Sequence, residues 1–135
     1  DRITCVEIEP TVVEGAAWFA EESRRVTDDA TVEIVVDDVA NHLRTTSQIY
    51  DVVSADEKTA QEYASNGFSY SLDYYEMIRD RLKPGGLVIQ WVPTTLPHSQ
   101  YRMILKTFSE AFPHVMVWYF GPALLTGGDL NPVTQ

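Results

Sequence analysis

Four acidic side chains follow short apolar runs, at the places where those runs end. Glu7 closes the first run, Asp37 and Asp38 follow the second, and Asp56 follows the third. A carboxylate accepts several hydrogen bonds, so it can hold a pair of hydroxyl groups or an amine, and it can take up a proton as a general base. The spacing therefore predicts a site of acceptor groups for a polar organic molecule.

Each of these acids has more than one interpretation. Either Glu7 or Glu9 is placed to accept from both hydroxyls of a ribose, while Glu9, which precedes a proline, would also favour a helix N-terminus through the helix dipole. Asp38 suits an exocyclic amine of adenine, and Asp37 suits the cap of the following helix. Asp56 suits a general base, a ligand for an ammonium group, or an acid that merely opens a loop.

Metal-binding side chains are not grouped in the sequence. His42, His98 and His114 are scattered, without a carboxylate or a second histidine at ligand spacing, so we expect no metal site. The single cysteine, Cys5, excludes an internal disulfide and a cysteine-cluster metal centre, and it suits a reducing compartment.

The elements that must position the acids follow from the periodicity of the apolar residues. Strands are predicted at Ile3–Ile8, Thr31–Val36, Tyr50–Ala55, Leu87–Val92, Val115–Phe120 and, as a last candidate, Ala123–Thr126. Helices are predicted at Thr11–Arg25, at Val39–Leu43, at Leu72–Leu82 with Lys83–Gly86 as its C-cap, and from Pro97 to Phe112. Residues 57–69 are polar and aperiodic, which predicts a long loop and a candidate lid.

The alternation of strands and helices predicts an α/β fold with a mainly parallel sheet and helices on both faces. In such a sheet the ligand crevice lies beyond the carboxyl ends of the strands. We therefore expect Glu7, Asp38 and Asp56 to line one crevice.

Length and charge restrict the class of protein. The chain has 135 residues, which fits one domain, and its net charge of -10 disfavours binding to nucleic acid. The acidic field would attract a cation such as a polyamine, although such a surface more often serves only solubility. It lacks an apolar run long enough to span a bilayer and the layout of a signal peptide, so we expect no membrane contact by this segment and a cytoplasmic location.

Several segments, in this order and spacing, resemble the spermidine synthase family over nearly the whole chain: Cys5–Pro10, Val36–Asp38, Tyr50–Asp56, Leu82–Leu87 and Phe112–Val115. Two further stretches, Tyr70–Tyr75 and Val88–Pro93, look like the branch in which such a domain is joined to membrane-embedded transporter-like segments. Under that branch the chain would be the cytoplasmic domain of a membrane protein.

The resemblance implies a Rossmann-like fold of the S-adenosylmethionine-dependent methyltransferase type. It further implies transfer of an aminopropyl group from decarboxylated S-adenosylmethionine to an amine such as putrescine. Glu7 matches the family's ribose-binding glutamate, Asp38 its adenine-contacting aspartate with Asp37 beside it, and Asp56 the aspartate that helps to deprotonate the amine. Gln90 is predicted to contact the substrate.

The sequence departs from the family pattern in two places. Thr59 stands where the family has a second aspartate, and this difference affects binding of the acceptor amine. The family's first strand and glycine-rich turn are not found in residues 1–135, so the chain resembles the C-terminal portion of one catalytic domain, and we expect the isolated fragment to be inactive.

Two other functions stay open at this point. One is a small-molecule methyltransferase that uses S-adenosylmethionine, and the other is a catalytically silent nucleotide-binding or interaction module attached to a transporter. Because the family's first strand lies between those predicted at Ile3–Ile8 and Tyr50–Ala55, these two must pair directly or be covered by a second copy of the chain. We expect a homodimer.

Overall fold

The computed structural model describes residues 2–55, 64–93, 96–119 and 131–133. Its strands are β1 (Ile3–Glu7), β2 (Val32–Val36), β3 (Tyr50–Ala55), β4 (Leu82–Gln90), β5 (Val117–Tyr119) and β6 (Asn131–Val133). Its α-helices are α1 (Pro10–Gly15), α2 (Val39–Thr45), α3 (Leu72–Arg79) and α4 (His98–Ala111). Short 3-10 helices lie at Ala16–Phe19, Val26–Asp28 and Ala64–Tyr70.

The strands pair in three two-stranded sheets, β1 with β2, β3 with β4, and β5 with β6. Strands β1 and β2 are parallel. The N–H of Tyr50 donates to the carbonyl of Arg81 (2.8 Å), and that of Trp91 donates to the carbonyl of Ala55 (3.0 Å). These contacts run in the same order along β3 and β4, as in a parallel pair. Parallel strands joined through helices confirm the predicted α/β class.

The chain divides into two compact units, of which the first comprises Asp1–Val52 and Asp80–Leu87. Helix α2 buries Ala40 and Leu43 in this unit. The Nε of Arg81 donates to the carbonyl of Leu43 at 2.8 Å, so a charged side chain satisfies a carbonyl in the last turn of the helix. These contacts hold α2 against the rest of the first unit.

The second unit comprises Val53–Arg79 and Val88–Gln135. Helices α3 and α4 pack together in it through side chains that include Tyr75 and Ile78, both fully buried. The ring of Tyr75 meets that of Phe108 edge-on, with 5.0 Å between the ring centroids. Burial of each large apolar side chain contributes about 1.5–3 kcal/mol, so this cluster stabilises the unit.

The helix predicted over residues 11–25 is wrong in its length. Helix α1 ends at Gly15 and continues only as a 3-10 helix, and Arg25 then takes a left-handed conformation with φ of 56°. Glycine weakens a helix, and short helices depend on packing of their apolar face. Trp18 is 88% exposed and Phe19 is 63% exposed, so the apolar side chains at this end do not supply that packing.

The helix predicted over residues 72–82 is also too long, and Lys83–Gly86 is not its C-cap. Helix α3 ends at Arg79, and these four residues belong to β4. Gly85 has a φ of +78°, and a Cβ on Gly86 would stand 3.2 Å from the carbonyl oxygen of Asp51. The glycines therefore permit a turn inside the strand and a close approach to the neighbouring strand.

The C-terminal strands differ from the prediction as well. Strand β5 is shorter than Val115–Phe120, and it pairs in antiparallel fashion with β6, which the sequence did not predict. Pro132 lies within β6 and argues against a strand by local pattern, although a proline is tolerated in an edge strand. The candidate strand Ala123–Thr126 lies outside the described residues.

The predicted loop over residues 57–69 is wrong at its end, because Ala64–Tyr70 forms a 3-10 helix, and its earlier part lies outside the described residues. Direct pairing of β1 with β3 is not seen in the described part, where the two strands belong to different sheets. Coverage by a second copy stays a prediction. Among the described residues we find no helix with the length and apolar character needed to cross a bilayer.

Candidate functional site

The carboxyl ends of β1 and β2 meet at one edge of their sheet. The parallel register places Glu7 opposite Val36, and the N–H of Asp37 donates to the carbonyl of Glu7 at 3.0 Å. The backbones of Glu7 and Asp37 are therefore adjacent at this edge, and the expectation that Glu7, Asp38 and Asp56 line one crevice stays a prediction. We call Glu7, Asp37 and Asp38 the acidic end.

Glu7 and Glu9 occupy different positions at this edge. Glu7 is half-buried, and its Oε1 accepts from the N–H of Glu9 at 2.8 Å, which holds the side chain against its own loop. Glu9 is exposed and caps α1, because its Oε1 accepts from the backbone N–H of Thr11 (3.2 Å) and from its hydroxyl (2.8 Å). These bonds, led by that of the hydroxyl, hold the pKa of Glu9 below its ordinary value.

The cap of α2 is Asp38 and not Asp37, which corrects the prediction for this helix. Oδ1 of Asp38 accepts from the N–H of Asn41 at 3.0 Å. Asp37 instead accepts from the N–H of Asp38 at 2.8 Å and from the side-chain amide of Asn41 at 3.0 and 2.9 Å. Asn41 was not singled out in the sequence, although an amide-bearing residue three positions after an Asp N-cap resembles a capping box.

The acidic end carries negative charge without a cationic partner in the described ranges. The ion pairs of the described residues involve other side chains, for example Arg2 with Glu33 (2.8 Å) and Lys83 with Asp51 (2.7 Å). The hydrogen bonds to the acidic end come instead from neutral amide donors. Such a set of acceptors suits hydroxyl and amine donors and disfavours phosphate.

A second set of polar groups lies where β3 and β4 end, in the second unit. The amide Nε2 of Gln90 donates to the carbonyl of Ala55 at 3.3 Å and to that of Trp91 at 3.0 Å. These two bonds orient the amide. Its Oε1 is buried and accepts no hydrogen bond from any residue in the described part of the chain. We call Ala55, Gln90 and Trp91 the amide end; its acceptor oxygen suits a donor such as an amine.

Asp56, the predicted general base, directly follows Ala55 and lies outside the described residues, as does Thr59. The structure thus brings together Glu7, Asp37 and Asp38 and places Gln90 in the other unit. Within the described ranges, no group of three or more His, Cys, Asp or Glu side chains is arranged to hold a metal ion. The Nε2 of His42 lies 2.9 Å from the hydroxyl of Tyr50, a contact that uses this ring nitrogen within the fold.

Comparison with known proteins gives matches over most of the chain. The family model of the spermine/spermidine synthase domain matches residues 1–128. A polyamine aminopropyltransferase of Aeropyrum pernix is 30% identical over 118 residues, which cover 85% of this chain and 38% of that protein. A polyamine aminopropyltransferase of Moorella thermoacetica is 30% identical over 114 residues, which cover 84% and 40%.

Two solved structures share the fold. The spermidine synthase of Thermotoga maritima superposes with a TM-score of 0.68 at 20% identity, over 87% of this chain and 39% of that one. A spermidine synthase in complex with the transition-state analogue AdoDATO superposes with a TM-score of 0.73 at 20% identity, over 87% and 40%. The predicted Rossmann-like fold is confirmed. The chain spans about two fifths of the length of these relatives.

Proposed function

Because the chain belongs to the spermine/spermidine synthase domain family, we propose that it serves an aminopropyltransferase, in which it supplies the nucleoside contacts of the donor and part of the amine site. The donor is decarboxylated S-adenosylmethionine, and the acceptor is an amine such as putrescine. The observation that carries the proposal is the parallel register of β1 and β2. It places Glu7 opposite Val36 and so brings Asp37 next to Glu7 at the carboxyl edge of the sheet. Ligands of such folds bind at this edge.

The acidic end takes the nucleoside of the donor. Glu7 accepts hydrogen bonds from the two ribose hydroxyls, and Asp38 accepts from the exocyclic amine of adenine. Both carboxylates use one oxygen to bond the backbone of their own loop, which leaves the other oxygen for a ligand. Neutral donors on the ligand match these acceptors.

The amide end takes the acceptor amine. Gln90 accepts from the amine with Oε1, and Asp56 takes up the proton that the attacking nitrogen must lose. The nitrogen lone pair then forms a bond to the carbon next to the sulfonium. The bond between that carbon and sulfur breaks, its electron pair stays on sulfur, and methylthioadenosine leaves as a neutral thioether.

Turnover by the full-length protein tests this function and separates it from the alternatives. We expect decarboxylated S-adenosylmethionine and putrescine to yield spermidine and methylthioadenosine, measured by mass spectrometry. A methylated amine from S-adenosylmethionine would identify a methyltransferase instead. Nucleoside binding without turnover of either donor would identify a silent module, and either of these results would overturn the proposal.

The variant Asp56→Asn tests the general base. We expect kcat to fall about 100-fold or more, in line with the usual contribution of general base catalysis, while the dissociation constant for methylthioadenosine changes little. The matched control is Asp51→Asn, because Asp51 lies on β3, is exposed and contacts Lys83. An equal fall in kcat for both variants would contradict the assignment of Asp56.

A further inference from the structure

The three carboxylates of the acidic end differ in how their oxygens are used. Glu7 and Asp38 each have one oxygen that accepts a backbone hydrogen bond, and their other oxygen accepts none among the described residues. Asp37 differs because both of its oxygens accept from the side-chain amide of Asn41. Asp37 therefore has less capacity to bind a ligand.

The two aspartates also differ in exposure. Asp37 is half-buried, whereas Asp38 is exposed at the surface of the turn between β2 and α2. Oδ1 of Asp37 also accepts from the N–H of Asp38 at 2.8 Å, so the carboxylate of Asp37 holds the backbone of its neighbour. A hydrogen bond to a charged group is stronger than one between neutral groups, so this bond favours the observed arrangement of the short turn.

We propose that Asn41 is a positioning residue of the nucleoside site, which acts through Asp37 to hold Asp38 in place. The side-chain amide of Asn41 orients the carboxylate of Asp37, and that carboxylate fixes the N–H of Asp38. The N–H of Asn41 orients Oδ1 of Asp38. Asp37 is thus a positioning residue as well, and not a ligand of the nucleoside. The inference rests on the proposed function, since Asp38 is the group that contacts adenine.

A double-mutant cycle on the full-length protein tests the inference. The dissociation constant for methylthioadenosine is measured by calorimetry for the wild type, Asn41→Ala, Asp37→Ala and the double variant. We expect Asn41→Ala to weaken binding about tenfold, which corresponds to ~1.4 kcal/mol. If Asn41 acts through Asp37, the double variant binds as weakly as Asp37→Ala and no more weakly.

The KM values separate positioning from loss of structure. We expect the KM for putrescine to stay within about twofold in Asn41→Ala, because the amide that is lost contacts only the acidic end. The control is Thr45→Ala on the same helix, whose hydroxyl donates to the carbonyls of Asn41 and His42. It changes the helix without removing a bond to a carboxylate, so we expect the affinity for methylthioadenosine to stay unchanged.

The variant Asn41→Asp gives a further readout with pH. It places a second carboxylate against Asp37, so we expect weaker binding than in Asn41→Ala at pH 7 and partial recovery as the pH falls and one carboxylate is protonated. Unchanged affinity in Asn41→Ala, or additive losses in the double variant, would overturn the inference and leave the proposed function standing. A wild type that binds no methylthioadenosine would overturn both.

Discussion

The acidic end and the amide end both lie where strands finish, yet their polar groups are satisfied in opposite ways. At the acidic end, short local hydrogen bonds between residues close in sequence hold each carboxylate. At the amide end, Gln90 uses its donor on the carbonyls of Ala55 and Trp91, and its buried acceptor has no partner among the described residues. The local bonds at the acidic end orient the carboxylates and leave one oxygen each of Glu7 and Asp38 for a ligand, whereas at the amide end a donor would give the buried oxygen of Gln90 its first hydrogen bond.

This difference has an energetic meaning. A buried acceptor without a partner costs about 1–3 kcal/mol, and a ligand that donates to it recovers that free energy on binding. Carboxylates that already lie in fixed orientations instead lower the entropic cost of binding a ligand. We therefore expect the acidic end to contribute through orientation and the amide end through the formation of a missing hydrogen bond.

The largest expected effect on nucleoside affinity follows from Glu7→Gln, which keeps the size of the side chain and removes its charge. Loss of charge weakens both bonds to the ribose hydroxyls, so we expect the dissociation constant for methylthioadenosine to rise about 10- to 100-fold. Calorimetry on the full-length protein measures it. The control is Glu33→Gln, on β2, where the carboxylate pairs with Arg2. If both variants bind equally well, Glu7 does not contact the ribose.

A smaller and different effect is expected for Gln90→Leu at the amide end. The substitution removes the acceptor for the amine, so the KM for putrescine should rise about tenfold while the affinity for methylthioadenosine stays within about twofold. Steady-state kinetics with each substrate varied in turn measure the two separately. Gln100→Leu is the matched control, because Gln100 is exposed at the start of α4. If Gln90→Leu also weakened the binding of methylthioadenosine, the two ends would not bind the two substrates separately.

The part of the fold that the sequence predicted is the part decided by local pattern. Strand β3 was predicted with its observed bounds, because Tyr50–Ala55 is a largely apolar run that ends at Asp56. The start of β4 was missed, since Lys83–Gly86 has the composition of a helix C-cap, and the same glycines equally permit a turn within a strand. Only the close approach of Gly86 to Asp51, distant in sequence, decides between the two.

In the candidate site, too, some features follow from the sequence pattern and others depend on individual hydrogen bonds. The adjacency of Glu7 and Asp37 was predictable, because the carboxyl ends of neighbouring parallel strands meet. The cap of α2 was predicted at Asp37 and is Asp38, since both are acceptors and only the hydrogen bonds of Asn41 distinguish the cap from its neighbour. The unsatisfied oxygen of Gln90 depends on the orientation of one amide, which no sequence pattern specifies.

The smallest effect is expected for Glu9→Gln, and it asks whether the acidic end is confined to Glu7, Asp37 and Asp38. The bonds from Thr11 lower the pKa of Glu9 in the folded chain, so its charge stabilises the fold above the unfolded pKa, and this contribution is lost as the pH falls through the lower folded value. We therefore expect a slightly lower Tm for Glu9→Gln at pH 7, and convergence with the wild type in acid.

The nucleoside affinity of Glu9→Gln completes the test. Because the carboxylate of Glu9 is exposed and caps α1, we expect its replacement to leave the dissociation constant for methylthioadenosine unchanged, in contrast to Glu7→Gln. The two variants are matched in chemistry and differ by two positions. Equal losses of affinity would extend the ribose contact to Glu9, and a difference in Tm that does not depend on pH would show that its charge has no part in the cap.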